Sequence, residues 1–105
     1  MRVEIHARAR DDIGKIYEHR SREHSPRVAT HVEQTIRETI GMLARHPELG
    51  TETSHKRPIR RWPMSEYPIT IFYAIDRNSD VITIIRVIAS ACVRDLRRMP
   101  ESEVG

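Results

Sequence analysis

The sequence predicts an α+β domain: an N-terminal strand, then an antiparallel helical hairpin packed on one face of a three- to four-stranded antiparallel sheet, then a short C-terminal helical segment. Three observations point there. Residues 67–75 (Tyr67-Pro68-Ile69-Thr70-Ile71-Phe72-Tyr73-Ala74-Ile75) and 81–88 (Val81-Ile82-Thr83-Ile84-Ile85-Arg86-Val87-Ile88) are β-branched and aromatic runs around the polar turn Asp76-Arg77-Asn78-Ser79-Asp80, the pattern of a β-hairpin. Upstream, two segments carry apolar residues at spacings of three and four, the pattern of amphipathic helices. The hairpin is apolar on both alternating faces, so it belongs in the middle of a sheet and needs covering, which the helices can do on one side.

The elements follow in order. Val3 and Ile5 alternate with Arg2, Glu4 and His6, which suits a short strand with one face inward that could pair with the hairpin. From Ala7 the period changes: Ala9, Ile13, Ile16 and Tyr17 form one stripe, with Arg8, Asp11, Asp12, Lys15 and Glu18 outside it, and the helix ends near Arg22. Ser25-Pro26 offers a side-chain cap and a proline at the first helical position. The second helix carries Val28, Ala29, Val32, Ile36, Ile40 and Leu43, and it stops at His46-Pro47, because the residue before proline is pushed out of the helical region. Pro47-Glu48-Leu49-Gly50 reads as a turn. Residues 51–63 follow, with His55, Lys56, Arg57, Arg60 and Arg61 close together. If residues 55–61 are extended, Pro58 places them at a sheet edge. After Asp95, Leu96-Arg97-Arg98-Met99-Pro100 suggests a helical turn before a loose polar end.

A chain of 105 residues makes one domain with a single modest core. The net charge of +3 permits an acidic partner or nucleic acid without requiring either. Cys92 is the only cysteine, so no internal disulfide can form. With no apolar run of signal-peptide or membrane-spanning length, a cytoplasmic protein with no membrane partner is expected. His19, His24 and His31 lack the spacing of metal ligands on one helix face, and the four glycines write no phosphate loop, so neither metal nor cofactor is expected. The second helix carries Glu33, Gln34, Arg37 and Glu38 on its polar face, not the basic strip of a DNA-reading helix.

Several pieces occur together in one order: Ala9 with Asp11-Asp12-Ile13, the turn His46-Pro47-Glu48-Leu49-Gly50, Arg60-Arg61 ahead of residues 67–73, then Ile84-Ile85-Arg86-Val87-Ile88 and Arg94-Asp95. Over residues 3–96 the chain resembles the ParE/RelE-like toxins of type II toxin–antitoxin systems, often called plasmid-stabilisation proteins, with the ParE-like branch favoured. The resemblance implies a bacterial growth inhibitor closed by a cognate antitoxin whose disordered tail folds on binding. In that superfamily one branch cleaves mRNA on the ribosome without metal, and the other poisons DNA gyrase. Many relatives carry a histidine after the last strand, where this chain reads Ala89-Ser90-Ala91-Cys92-Val93-Arg94-Asp95. The missing base leans toward binding gyrase through an exposed sheet face, the basic edge and the C-terminal segment. The alternatives are a ribosome-dependent mRNA endoribonuclease or an inactive relative.

The candidate target- or antitoxin-binding residues are Lys56, Arg57, Arg60, Arg61, Arg86 and Arg94. A nuclease would instead need Arg61 and Arg86 as cations around a phosphate, with Tyr73 or His55 moving the proton. Arg60 and Arg61 could equally be a solvated edge. Arg86, alone among Ile84, Ile85, Val87 and Ile88, faces either a target or an internal acid such as Asp95, Glu66 or Asp76. A homodimer and a heterotetramer with antitoxin both remain open.

Overall fold

The computed structural model describes residues 1–53 and 58–92. Strand β1 (Arg2–Ile5) leads into helices α1 (Ala7–Glu23) and α2 (Pro26–Arg45), followed by β2 (Thr51–Glu52), β3 (Ile59–Pro63), β4 (Ile69–Asp76) and β5 (Val81–Ala89). The sheet order is β1-β5-β4-β3-β2. The hairpin β4–β5 therefore lies in the interior of the sheet, as its two apolar faces require. Single 3-10 turns occupy Pro47–Leu49 and Ser90–Cys92. The expected helical turn after Asp95 lies outside the described residues.

The helix ends follow from local chemistry. Ser25 Oγ accepts a hydrogen bond from the Val28 N–H at 3.2 Å while Pro26 opens α2, so an otherwise orphaned amide is satisfied. His6 does the same for α1, its Nδ1 accepting from Arg8 N–H at 2.9 Å. At the other end of α2, Pro47 stops the helix and His46 caps it.

The sheet differs from the sequence expectation in two ways. Among the described residues it has five strands, because the two-residue β2 pairs antiparallel with β3; so short a strand writes no alternation to read. It is also mixed, since β1 runs parallel to β5, with Arg2 beside Val81 and Ile5 beside Ile84. Four alternating residues announce a strand but not its direction. Pro58 precedes β3, and β2, not β3, forms the outer edge.

One core lies between helices and sheet, built from Ala9, Ile13, Val32, Ile36, Leu43, Ile71, Tyr73, Ile82, Ile84 and Val87. A second cluster, Ile59, Phe72, Ala74 and Ile85, lies on the opposite face, with Ile88 packed against it. That face was expected to stay exposed for a target. Instead Phe72 and Ile85 are fully buried, as their side chains favour: removing one such residue from water is worth about 1.5–3 kcal/mol.

Candidate partner-binding site

Between β4 and β5 the register shifts. Phe72 pairs with Arg86 while Tyr73 pairs with Ile84, which leaves Ile85 as the extra residue of a β-bulge. The bulge lets two successive residues, Arg86 and Val87, both address α1. Arg86 Nε donates to Asp12 Oδ2 at 2.7 Å, its second guanidinium arm donates to Oδ1 at 3.0 Å, and the Val87 N–H donates to Oδ2 at 3.0 Å. The pair is about nine-tenths buried on both sides. The fork-on-fork hydrogen bonds to Asp12 raise the Arg86 pKa, against the opposing pull of burial, so this guanidinium stays charged. Its acid was not among those proposed from the sequence. Asp12 was placed outside the stripe of α1, whereas it is buried within it beside Ala9 and Ile13. The available signal was its spacing, three after Ala9 and four before Ile16.

A second group of contacts fixes the turn after α2. The Tyr73 hydroxyl donates to Pro47 O and accepts the Gly50 N–H, both at 2.7 Å. Burial pushes the phenol pKa up, and the Gly50 hydrogen bond opposes the shift. Gly50 must be glycine because of close approach, not of dihedral angle: a Cβ there would run into the Tyr73 hydroxyl and lie 2.8 Å from its ring. Arg60 closes the same turn, donating to Gly50 O at 2.7 Å and to Glu48 O at 3.4 Å, and it pairs with Glu52 at 3.3 Å. Arg77 holds Glu48 at 2.7 Å, which keeps that carboxyl below its usual range.

The sequence-derived residues therefore divide. Arg60 and Tyr73 meet, on the turn at Gly50. Arg61 is exposed and in register with Phe72, which is itself in register with Arg86. Even so, the Arg86 guanidinium turns to Asp12 beneath α1, so the described geometry does not gather Arg61, Arg86 and Tyr73 around one phosphate. His55, Lys56, Arg57 and Arg94 lie outside the described residues.

A feature the sequence reading missed is a groove of about 490 Å³ between the second half of α1 and the ends of β4 and β5. Ile16, Pro68, Ile69 and Ala89 supply its apolar surface, and Lys15, His19, Arg20 and His24 supply cationic or protonatable side chains along α1. The Arg20 guanidinium lies 5.3 Å from the centre of the Tyr67 ring, and His31 of α2 meets the same ring edge-on at 6.3 Å. Among the described residues no acidic side chain lines the groove. Such a surface can take an amphipathic segment that brings carboxylates against the α1 side and apolar side chains to the floor. Among the described residues no helix is long and apolar enough to cross a membrane.

Comparison with known proteins agrees with this architecture. The chain is similar in structure to a solved chain described as the chromosomal ParDE TA system from P. aeruginosa, with a TM-score of 0.72 and 21% identity over 85% of this chain and 95% of that one. At that identity the likeness shows the fold. No curated protein sequence matches the chain significantly. The family described as the ParE toxin of type II toxin–antitoxin systems, parDE, matches residues 3–92. With nearly the whole described chain inside that match, this protein belongs to the ParE toxin family of type II toxin–antitoxin systems.

Proposed function

We propose that the chain is the growth-inhibiting component of a cytoplasmic type II toxin–antitoxin module, acts by binding a protein target, DNA gyrase, and is neutralised by a cognate antitoxin. Family membership across residues 3–92 supports the toxin role and the antitoxin. One observation favours binding over catalysis: the two described groups best suited to phosphodiester chemistry are engaged in holding the fold. Tyr73 spends its hydroxyl on Pro47 and Gly50, and Arg86 spends two arms of its guanidinium on Asp12. A general acid or base must be free to exchange a proton with substrate, and a raised phenol pKa makes Tyr73 a poor base at neutral pH. The antitoxin is an acidic, amphipathic tail that folds into the α1 groove, where its carboxylates meet Lys15 and Arg20. Exposed Arg61 belongs to the surface left for the target.

The test is induction of the chain without its antitoxin in a bacterium carrying a DNA-damage reporter. Growth arrest with a strong damage response is expected, as gyrase stalled on broken DNA would give. Arrest without that response, accompanied by new transcript ends, would replace this reading with RNA cleavage. Unimpeded growth would replace it with an inactive relative.

A further inference from the structure

The sheet ends on one side in β2, two residues long, and on the other in β1, whose outer edge has no strand beside it among the described residues. The outer edge of β1 has a definite hydrogen-bonding register. The N–H groups of Arg2 and His6 donate inward, to Asp80 O at 3.0 Å and to Ile84 O at 2.9 Å. Alternation along a strand then turns the amide and carbonyl of Val3 and Ile5 outward. The side chains alternate as well. Arg2 and Glu4 are exposed on one side, and Val3 and Ile5 are half-buried on the other. Arg2 and Glu4 of one chain already approach at 3.4 Å, with 71% and 58% of their side chains exposed.

From this edge we infer that two copies of the chain associate through β1, antiparallel and centred on Val3, to form one continuous sheet across a two-fold axis. An isologous contact must satisfy itself, and this one does. Centring on Val3 makes it a hydrogen-bonded pair with its own copy, each outward N–H facing the other chain's carbonyl. The same centre sets Arg2 opposite the second copy's Glu4 and Glu4 opposite its Arg2, in the closer, non-hydrogen-bonded positions. Each cation then sits between two anions, its own Glu4 and the other chain's, on one face of the joined sheet. Charged residues on a short edge strand ordinarily discourage pairing; here their order makes the edge repel most strands and accept its own copy. A shift of one residue would set side chains of the polar face against those of the half-buried face and lose both matches. A groove of about 370 Å³, lined by Glu4, Ile5, His6, Ala7 and Thr83, lies at the C-terminal end of β1. The inference does not rest on the toxin reading.

Sedimentation of the full-length chain over a range of concentrations tests it. The mass is expected to rise from 12.3 kDa toward twice that value. Arg2→Glu and Glu4→Arg, each alone, place like charges opposite one another and are expected to raise the dimerisation midpoint about tenfold, since each cross-strand ion pair or clash contributes up to about 1 kcal/mol. An equimolar mixture of the two variants is expected to recover the parent midpoint as a heterodimer, and the double variant R2E/E4R to recover it as a homodimer. Val3→Pro removes an outward N–H while sparing the bonds to β5, and is expected to leave a folded monomer by circular dichroism. A parent chain that stays monomeric up to its solubility limit overturns the inference. So does a dimer whose midpoint ignores the charge reversals, or a mixture of the two variants that associates no better than either alone.

Discussion

Arg86 of β5 and Asp12 of α1, separated by 74 positions in sequence, are joined by two hydrogen bonds of 2.7 and 3.0 Å in the interior, and the same carboxylate takes the Val87 N–H at the bulge. Asp12 thus fastens the first helix to the strand beneath it and supplies the acceptor for a backbone amide that the irregular ladder leaves over.

Removing either partner strands a buried charge, so Asp12→Ala and Arg86→Met are each expected to lower stability by about 3–5 kcal/mol. Asp12→Ala is expected to be the worse of the two, because it also orphans the Val87 N–H. Urea denaturation of both variants checks the order. Equal, small losses would show that this pair does not fasten α1 to the sheet.

The Tyr73 hydroxyl and Gly50 form one mechanical unit. Tyr73→Phe leaves the Gly50 amide without its acceptor and is expected to cost about 1–3 kcal/mol. Gly50→Ala forces a methyl group against the tyrosine ring, with a comparable loss from overpacking. Because each change already disrupts the contact that the other would break, the double variant is expected to lose less than the sum, as a double-mutant cycle by denaturant titration would read.

A tyrosine whose native pKa is raised makes stability fall at high pH. In the unfolded chain the phenol ionises near pH 10; in the native chain burial keeps it protonated to higher pH. Stability from this group is therefore fully present below pH 10 and is lost as pH rises above it, since only the unfolded state sheds the proton there. Comparing Tyr73→Phe with the parent between pH 9 and 11 should show a shallower decline in the variant. At the acid end the sign reverses. Glu48, lowered by Arg77, and Asp76, lowered by the Ser79 and Asn78 amides, contribute above their unfolded pKa values and cease to contribute as pH falls through the native ones.

If an acidic antitoxin tail seats in the α1 groove, the charge reversals Lys15→Glu and Arg20→Glu should weaken the complex, while the loss of the exposed Lys15–Asp11 pair at 3.2 Å and of the Arg20 contact with the Tyr67 ring lowers the melting temperature of the free toxin by only a few degrees, about what 1 kcal/mol shifts in a domain of this size. Both residues sit at the groove surface, and each lost charge-assisted contact is expected to reduce affinity about tenfold. Calorimetric titration with the antitoxin measures it, and unchanged affinity in both variants would remove the groove from the interface.

The elements were legible where a residue's role is local. Ser25-Pro26 and His46-Pro47 bounded α2 because a cap and a proline act on their neighbours, and residues 67–88 declared a hairpin because β-branched runs do so without help from afar. Residue roles set by distant partners were not legible. Arg86 was noticed as an isolated cation in an apolar strand, but its acid lies in α1, and nothing within a few residues of either one names the other. Tyr73 offered a hydroxyl that could have been catalytic; only the fold brings Pro47 and Gly50 to it. The resemblance to the toxin family rested on Ala9 with residues 11–13, on the turn at residues 46–50, on Arg60-Arg61, on the strands that contain Tyr73 and Arg86, and on Arg94-Asp95. Among these, Gly50, Arg60 and Tyr73 close the turn, and Asp12 and Arg86 anchor α1.

The parallel pairing of β1 with β5 also sets an order of assembly. The first strand of the chain has no lateral partner until residues 81–84 have been made, so a nascent chain carries β1 unpaired through most of its own synthesis. Contacts that span nearly the whole sequence are slow to close. β1 can therefore join the sheet only after β5 is in place, and the edge it completes is among the last parts of the sheet to form.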